Sequence, residues 1–154
     1  MTQRTSQVIA LIIFVLLAGA TAWFAGQFRP GPWYATLAKP SWTPPNWVFG
    51  PVWSVLYVMI AVAGWLAWRA EGHATSVWIW LVALVANGLW SYLFFGLHQI
   101  GLALLCICVL LAAIVGFIVS AWRPSRGAAW LFVPYLAWVG YATSLNAGIW
   151  LLNP

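Results

Sequence analysis

The sequence predicts an all-α membrane protein: a bundle of five transmembrane helices with a proline-rich lid loop between helices one and two, forming one domain over residues 1–154. Three observations carry this expectation. Of the 154 residues, 65% are hydrophobic and 5% charged, whereas an ordinary soluble domain is about 25% charged. A transmembrane helix takes about 20 residues, so five use roughly 110 and leave short connections. Five apolar segments separated by polar punctuation can be read, at about residues 6–28, 46–68, 74–96, 99–122 and 128–152. This composition argues against a soluble enzyme, a nucleic-acid binder and a disordered tail. The net charge of +5 does not point to nucleic acid, because the basic residues are single and scattered.

The first segment follows Arg4 and runs apolar from Val8 to Phe24, longer than a secretory h-region and with no clear cleavage site. It reads as a retained helix. Residues 29–45, RPGPWYATLAKPSWTPP, hold five prolines and three aromatics. A loop this stiff and aromatic predicts a folded lid rather than a tether. Pro51 and Pro134 fall in the first two turns of the second and fifth segments, where proline is tolerated best. Residues 69–73 and 97–98 read as tight turns, which predicts that helices two, three and four are antiparallel neighbours. Cys106 and Cys108 lie on nearly opposite faces of the fourth segment and read as small apolar fillers.

Charge predicts orientation. Arg4, Arg69, Arg123 and Arg126 share the N-terminal side, against Arg29 and Lys39 on the other. The excess places the N-terminus inside and the C-terminus and lid outside. The short tail and lack of a targeting peptide suggest a bacterial cell-membrane protein.

Fourteen tryptophans are a large excess. Trp65, Trp68, Trp78, Trp80, Trp122, Trp130 and Trp150 lie near helix ends and read as an interfacial belt. Trp53, Trp90 and Trp138 fall deeper. At about 1.5 Å per residue, Trp53 and Trp90 lie roughly 10 Å below the outer surface and Trp138 roughly 20 Å. Tyr57 shares the Trp53 face, and Ala142 and Asn146 share the Trp138 face. Asn87 completes a set of aromatic and amide groups in the outer half. If these faces converge, a planar apolar ligand finds stacking surfaces and polar handles beneath the lid. The asparagines also read as helix-to-helix hydrogen-bonding groups, and the tryptophans as core.

Small residues recur every fourth position as Ala18, Ala22 and Gly26, as Ala112, Gly116 and Ser120, and as Gly140, Ser144 and Gly148. Such stripes allow close helix approach, within the bundle or at a dimer seam. Glu71, the single carboxylate side chain, is expected in a loop. No helix centre carries a charge, which argues against an ion pump or proton-coupled transporter. His73 in a loop and His98 at a turn are poorly placed as a general base or haem ligand. No acid pair, Ser-His-Asp set, phosphate loop or metal cluster is readable.

Trp33-Tyr34, the run Lys39-Pro40-Ser41-Trp42-Thr43-Pro44-Pro45, and Trp53 resemble the signature of the translocator protein family, the tryptophan-rich sensory proteins. Asn87 with Trp90, Phe94-Phe95-Gly96, Pro134-Tyr135, Trp138, Ala142-Thr143 and Leu145-Asn146 extend the resemblance over essentially the whole chain. The resemblance implies a five-helix bundle, commonly a homodimer, that binds porphyrins, haem-like tetrapyrroles and sterols, with no required cofactor. It also implies binding of synthetic isoquinoline-carboxamide and benzodiazepine ligands. Carried over by position, the ligand site is Tyr34, Trp42, Trp53, Tyr57, Asn87, Trp90, Trp138, Ala142 and Asn146. A light-dependent porphyrin degradation proposed for the family matches Trp53 and Trp138 as catalytic residues. One departure stands out: no Lys or Arg follows Tyr141, so the sterol-associated L/V-x-Y-x-K/R segment of animal members is absent. A reversed version over Arg29, Tyr34 and Leu37 is a weak pattern. The expected function is a tetrapyrrole-binding membrane receptor or sensor. The alternatives are a porphyrin-degrading enzyme, a lipid or small-molecule transporter, and a scaffold for partner proteins.

Overall fold

The computed structural model describes residues 3–72 and 74–154. His73 lies outside the described residues. Among the described residues there are six α-helices: α1 (Gln3–Ala25), α2 (Pro32–Thr36), α3 (Phe49–Glu71), α4 (Thr75–Ser91), α5 (Ile100–Ala121) and α6 (Arg126–Leu152). Five helical segments are long and apolar enough to cross a membrane; α2 is a short turn of the 29–45 loop.

Local chemistry explains the helix ends. The first helix stops three residues before the expected boundary, at Ala25, where main- and side-chain donors close on the carbonyls around its end. The Gly26 amide donates to the Ala22 carbonyl, Gln27 Nε2 to Trp23, and Arg29 Nε to Gly26. A 3₁₀ turn (Asn46–Val48) leads into α3, and Pro51 sits in its first turn, where no intrahelical N–H is needed. The helix runs on through Glu71, which is its last residue rather than part of a loop. Gly72 then takes φ of 66°, a conformation open to glycine, and its amide closes on the Trp68 carbonyl at 2.6 Å. Ser125 caps α6 by accepting from the Ala128 amide. That start is two residues earlier than the sequence suggests, so Pro134 lies inside the helix, in its third turn. The proline removes one main-chain hydrogen bond there.

The third span is not one uniform helix. Its last turn, Tyr92–Gly96, is a π-helix, with the Leu97 amide donating five residues back to Tyr92 at 2.8 Å. The wider turn rotates Phe94 and Phe95 relative to Trp90. His98 then reverses the chain with φ of 57° and stacks on Trp33 at 4.0 Å.

The long helices form a closed ring in the order α1, α3, α6, α5, α4 and back to α1. Of the helices expected to be antiparallel neighbours, the third and fourth spans, α4 and α5, pack extensively. Although α3 and α4 are joined by a short turn, they touch only lightly, because α1 packs on both. At Gly64 of α3 a Cβ would lie 2.6–2.7 Å from Trp80 and Phe14, so glycine is what lets three helices meet. Trp80 itself is fully buried and donates Nε1 to the Ile60 carbonyl at 2.8 Å. It belongs to the core and not to the interfacial belt; its inward face, invisible in helix-end position alone, decides this. Trp78, Trp122, Trp130 and Trp150 remain exposed. The ring's interior between α5 and α6 is filled by Phe117 on Phe132 at 4.0 Å and by Tyr135. The outer surface carries exposed Leu, Ile and Val, such as Leu16, Leu105 and Val119. Such a surface suits lipid, while the backbone polar groups are satisfied inside each helix.

The small-residue stripes serve three ends. Ala18 is buried against the neighbouring helices. Ala22 and Gly26 border a cavity. At Gly148 a Cβ would meet Pro40 at 2.4 Å, so α6 uses its stripe to seat the 29–45 loop. Gly140 faces open space.

Candidate functional site

A half-enclosed cavity of about 570 Å³ lies between α1 and α3 at the loop end of the bundle. It falls within the range of about 300–1,000 Å³ usual for small-molecule sites. Two contacts open it. Phe24 and Phe28 of the α1 end pack on Tyr92, with ring centroids 6.3 and 5.2 Å away, which draws α1 toward α4. Small residues then face α3 across the gap: Ala22, Ala25 and Gly26 on one side, Gly50 and Ser54 on the other. Trp90, Ser91 and Phe95 close the back, and Phe49, Trp53 and Tyr57 supply the α3 wall. Arg29, Pro30, Asn46 and Trp47 border it from the two ends of the loop.

Of the nine residues expected at the site, Trp53, Tyr57 and Trp90 line this cavity together. Trp53 lies 5.7 Å from Tyr57 and 6.5 Å from Trp90 between ring centroids, a tilted aromatic array. Asn87 and Asn146 stand behind it. The Tyr57 hydroxyl donates to Asn87 Oδ1 at 2.6 Å, and Asn87 Nδ2 donates to the Tyr135 hydroxyl at 2.8 Å. Trp90 Nε1 donates to Asn146 Oδ1 at 3.0 Å, and Asn146 Nδ2 to the Ile100 carbonyl at 3.0 Å. Both asparagines are fully buried. They hold cavity-wall rings in place by bridging helices.

Ala142 is buried and does not border the cavity. Trp138 also lies outside its walls. Its ring meets Phe49 edge-on at 5.9 Å, so Phe49 borders the cavity and carries Trp138 against it. Trp138 Nε1 is buried with no hydrogen-bond partner. Trp53 and Trp138, the pair matched to photochemistry, therefore do not share one wall.

Tyr34 and Trp42 belong to the loop, which is folded but docked elsewhere. Tyr34 is buried against Phe94 and Phe95, at 6.2 and 5.5 Å. Burial of its hydroxyl, with the nearby Tyr141 hydroxyl, holds its pKa above the ordinary tyrosine value. Lys39 lies over the Tyr34 ring at 4.8 Å and donates to the Tyr34 and Leu37 carbonyls. Trp42 is exposed; its Nε1 donates to Ser144 Oγ, and its carbonyl accepts from the Tyr141 hydroxyl. Asn153 clasps Ala38 twice, accepting its amide at 3.0 Å and donating to its carbonyl at 2.9 Å. The middle of the loop is thus strapped to α6, and only its two ends border the cavity.

Phe49, Phe95, Ser91 and Arg29 line the cavity without having been singled out as site residues. Phe95 had a signal, since Phe94-Phe95-Gly96 stands in the matched pattern. Arg29 read as a topology charge and as one end of the weak reversed sterol pattern. Among the described residues no group of three His, Cys, Asp or Glu side chains is placed to hold a metal.

The profile of the TspO/MBR family matches residues 9–151. The chain is 38% identical to Protein CrtK of Rhodobacter capsulatus over 141 residues, 89% of this chain and 86% of that one. It is 37% identical to Tryptophan-rich protein TspO of Archaeoglobus fulgidus over 155 residues, 96% and 97% of the two chains. It is 38% identical to the human Translocator protein over 126 residues, 79% and 75% of the two.

Proposed function

The chain belongs to the TspO/MBR family, and on that premise we propose that it is a membrane receptor for tetrapyrroles, binding a porphyrin in the cleft between α1 and α3. It is an integral, multi-pass membrane protein. The observation that carries the ligand reading is the aromatic array of Trp53, Tyr57 and Trp90 on a cavity of about 570 Å³. Tilted indole and phenol faces favour a flat, polarisable ligand, with stacking contributing about 0.5–1.5 kcal/mol per ring pair beyond area burial. The buried asparagines fix those rings before any ligand arrives, which lowers the entropy cost of binding. The names of the relatives, which include a sensory protein and translocator proteins, accord with a receptor role.

The test is a fluorescence-quenching titration with protoporphyrin IX in detergent, in darkness and under light. Wild type is expected to bind saturably in the dark. Trp53→Phe is expected to weaken binding about three- to tenfold, the loss of part of one stacked ring. Absence of saturable binding removes the reading. Light-driven conversion to a new product that Trp53→Phe/Trp138→Phe abolishes would replace the receptor with an enzyme.

A further inference from the structure

We propose that Arg29 is an anion-binding residue of the cleft, and that the site selects amphiphiles carrying an acidic group beside a flat apolar body. This deepens the reading of the previous subsection and rests on it. Among the described residues Arg29 is the one charged side chain bordering the cavity. Its Nε donates to the Gly26 carbonyl at 2.7 Å, which ties the guanidinium to the end of α1 at the rim. Among the described residues it has no acidic side chain beside it: the chain's single one, Glu71, closes the far end of α3, roughly 33 Å along the helix from Phe49.

The other cation of the loop is committed elsewhere. Lys39 Nζ is occupied by the Tyr34 and Leu37 carbonyls and the Tyr34 ring. An uncompensated guanidinium above an apolar, aromatic cleft matches a ligand with the reverse arrangement, a carboxylate at the interface and a ring system below it. The planar fork suits a carboxylate in particular, since two parallel N–H donors match its two oxygens. Such amphiphiles partition into a bilayer with their acidic end at headgroup depth, and Arg29 stands at the loop end of the bundle.

Protoporphyrin IX and its dimethyl ester separate charge from ring. Both are titrated against the full chain in neutral-lipid nanodiscs. Wild type is expected to bind the diacid about tenfold more tightly than the ester, the scale of one hydrogen-bonded charged pair. Arg29→Gln is expected to weaken the diacid alone and bring the ratio to within about twofold, while Arg29→Lys retains most of the preference. Arg123→Gln, at the opposite end of the bundle, is expected to leave the ratio unchanged. An unchanged diacid preference in Arg29→Gln overturns the assignment, as does equal binding of the two ligands by wild type. In both cases the aromatic site survives, because the ester still binds. Saturable binding of neither ligand overturns the tetrapyrrole receptor and this inference together.

Discussion

At the scale of single residues, hydrogen-bond accounting separates framework from ligand contact. Asn87 satisfies two phenols at once, Tyr57 and Tyr135, in a region with little water to replace it. Asn87→Leu leaves both hydroxyls short of a partner and is expected to cost about 1–3 kcal/mol. Tyr57→Phe strands only one amide oxygen and is expected to cost less. Thermal unfolding of the two variants in the same detergent checks the order; a more stable Asn87→Leu would sink the bridging role. Trp80 and Trp78 make a second pair. Trp80→Phe removes the bond to the Ile60 carbonyl and opens space beside Gly64, for an expected loss of about 2–4 kcal/mol. Trp78→Phe, on the exposed face, is expected to stay within about 0.5 kcal/mol.

At the scale of elements, the seat of the loop on α6 governs whether the loop end is ordered. Gly148 has no room for a methyl group beside Pro40, whereas Gly140, two turns earlier on the same stripe, has open space. Gly148→Ala is therefore expected to displace the loop and speed hydrogen exchange at the Ala38 amide, which the Asn153 side chain now holds. Gly140→Ala is expected to leave that amide protected and to raise helix stability slightly. Equal exchange in both variants would mean that Pro40 and Gly148 do not anchor the loop. The π turn at Tyr92–Gly96 acts on the same region from the other side. It carries Tyr92, on which the end of α1 leans, and Phe95 at the back of the cavity.

At the scale of the molecule, the long helices alternate in direction, which sets the 29–45 loop and the α5–α6 connection at opposite ends of the bundle. With Cys106 and Cys108 replaced by Ala, single cysteines at Thr36 and Arg123 are expected to label from opposite faces of sealed vesicles. From the arginine excess, the cysteine at Arg123 is expected to label from the inner face. Labelling of both from one side would refute the odd number of spans. Van der Waals packing holds such a ring together, because lipid tails leave little hydrophobic drive between helices. Close fits such as Gly64 under Trp80 therefore matter more to its stability than they would in water.

Composition and segment length determined that this chain is a five-span membrane bundle with a folded aromatic loop, since lipid admits few architectures and each span is defined locally. The same local chemistry made Trp53, Tyr57 and Trp90 legible as one aromatic depth, because rise per residue is fixed. Tertiary structure alone decided which faces meet. It moved Trp80 from the belt to the core, turned Asn87 and Asn146 into the struts behind the array, strapped Trp42 to α6, and set Trp138 behind Phe49. It also set Arg29 at the rim of the cleft. These outcomes depend on the rotation and order of helices around the ring, which close packing between distant segments fixes and no window of sequence contains.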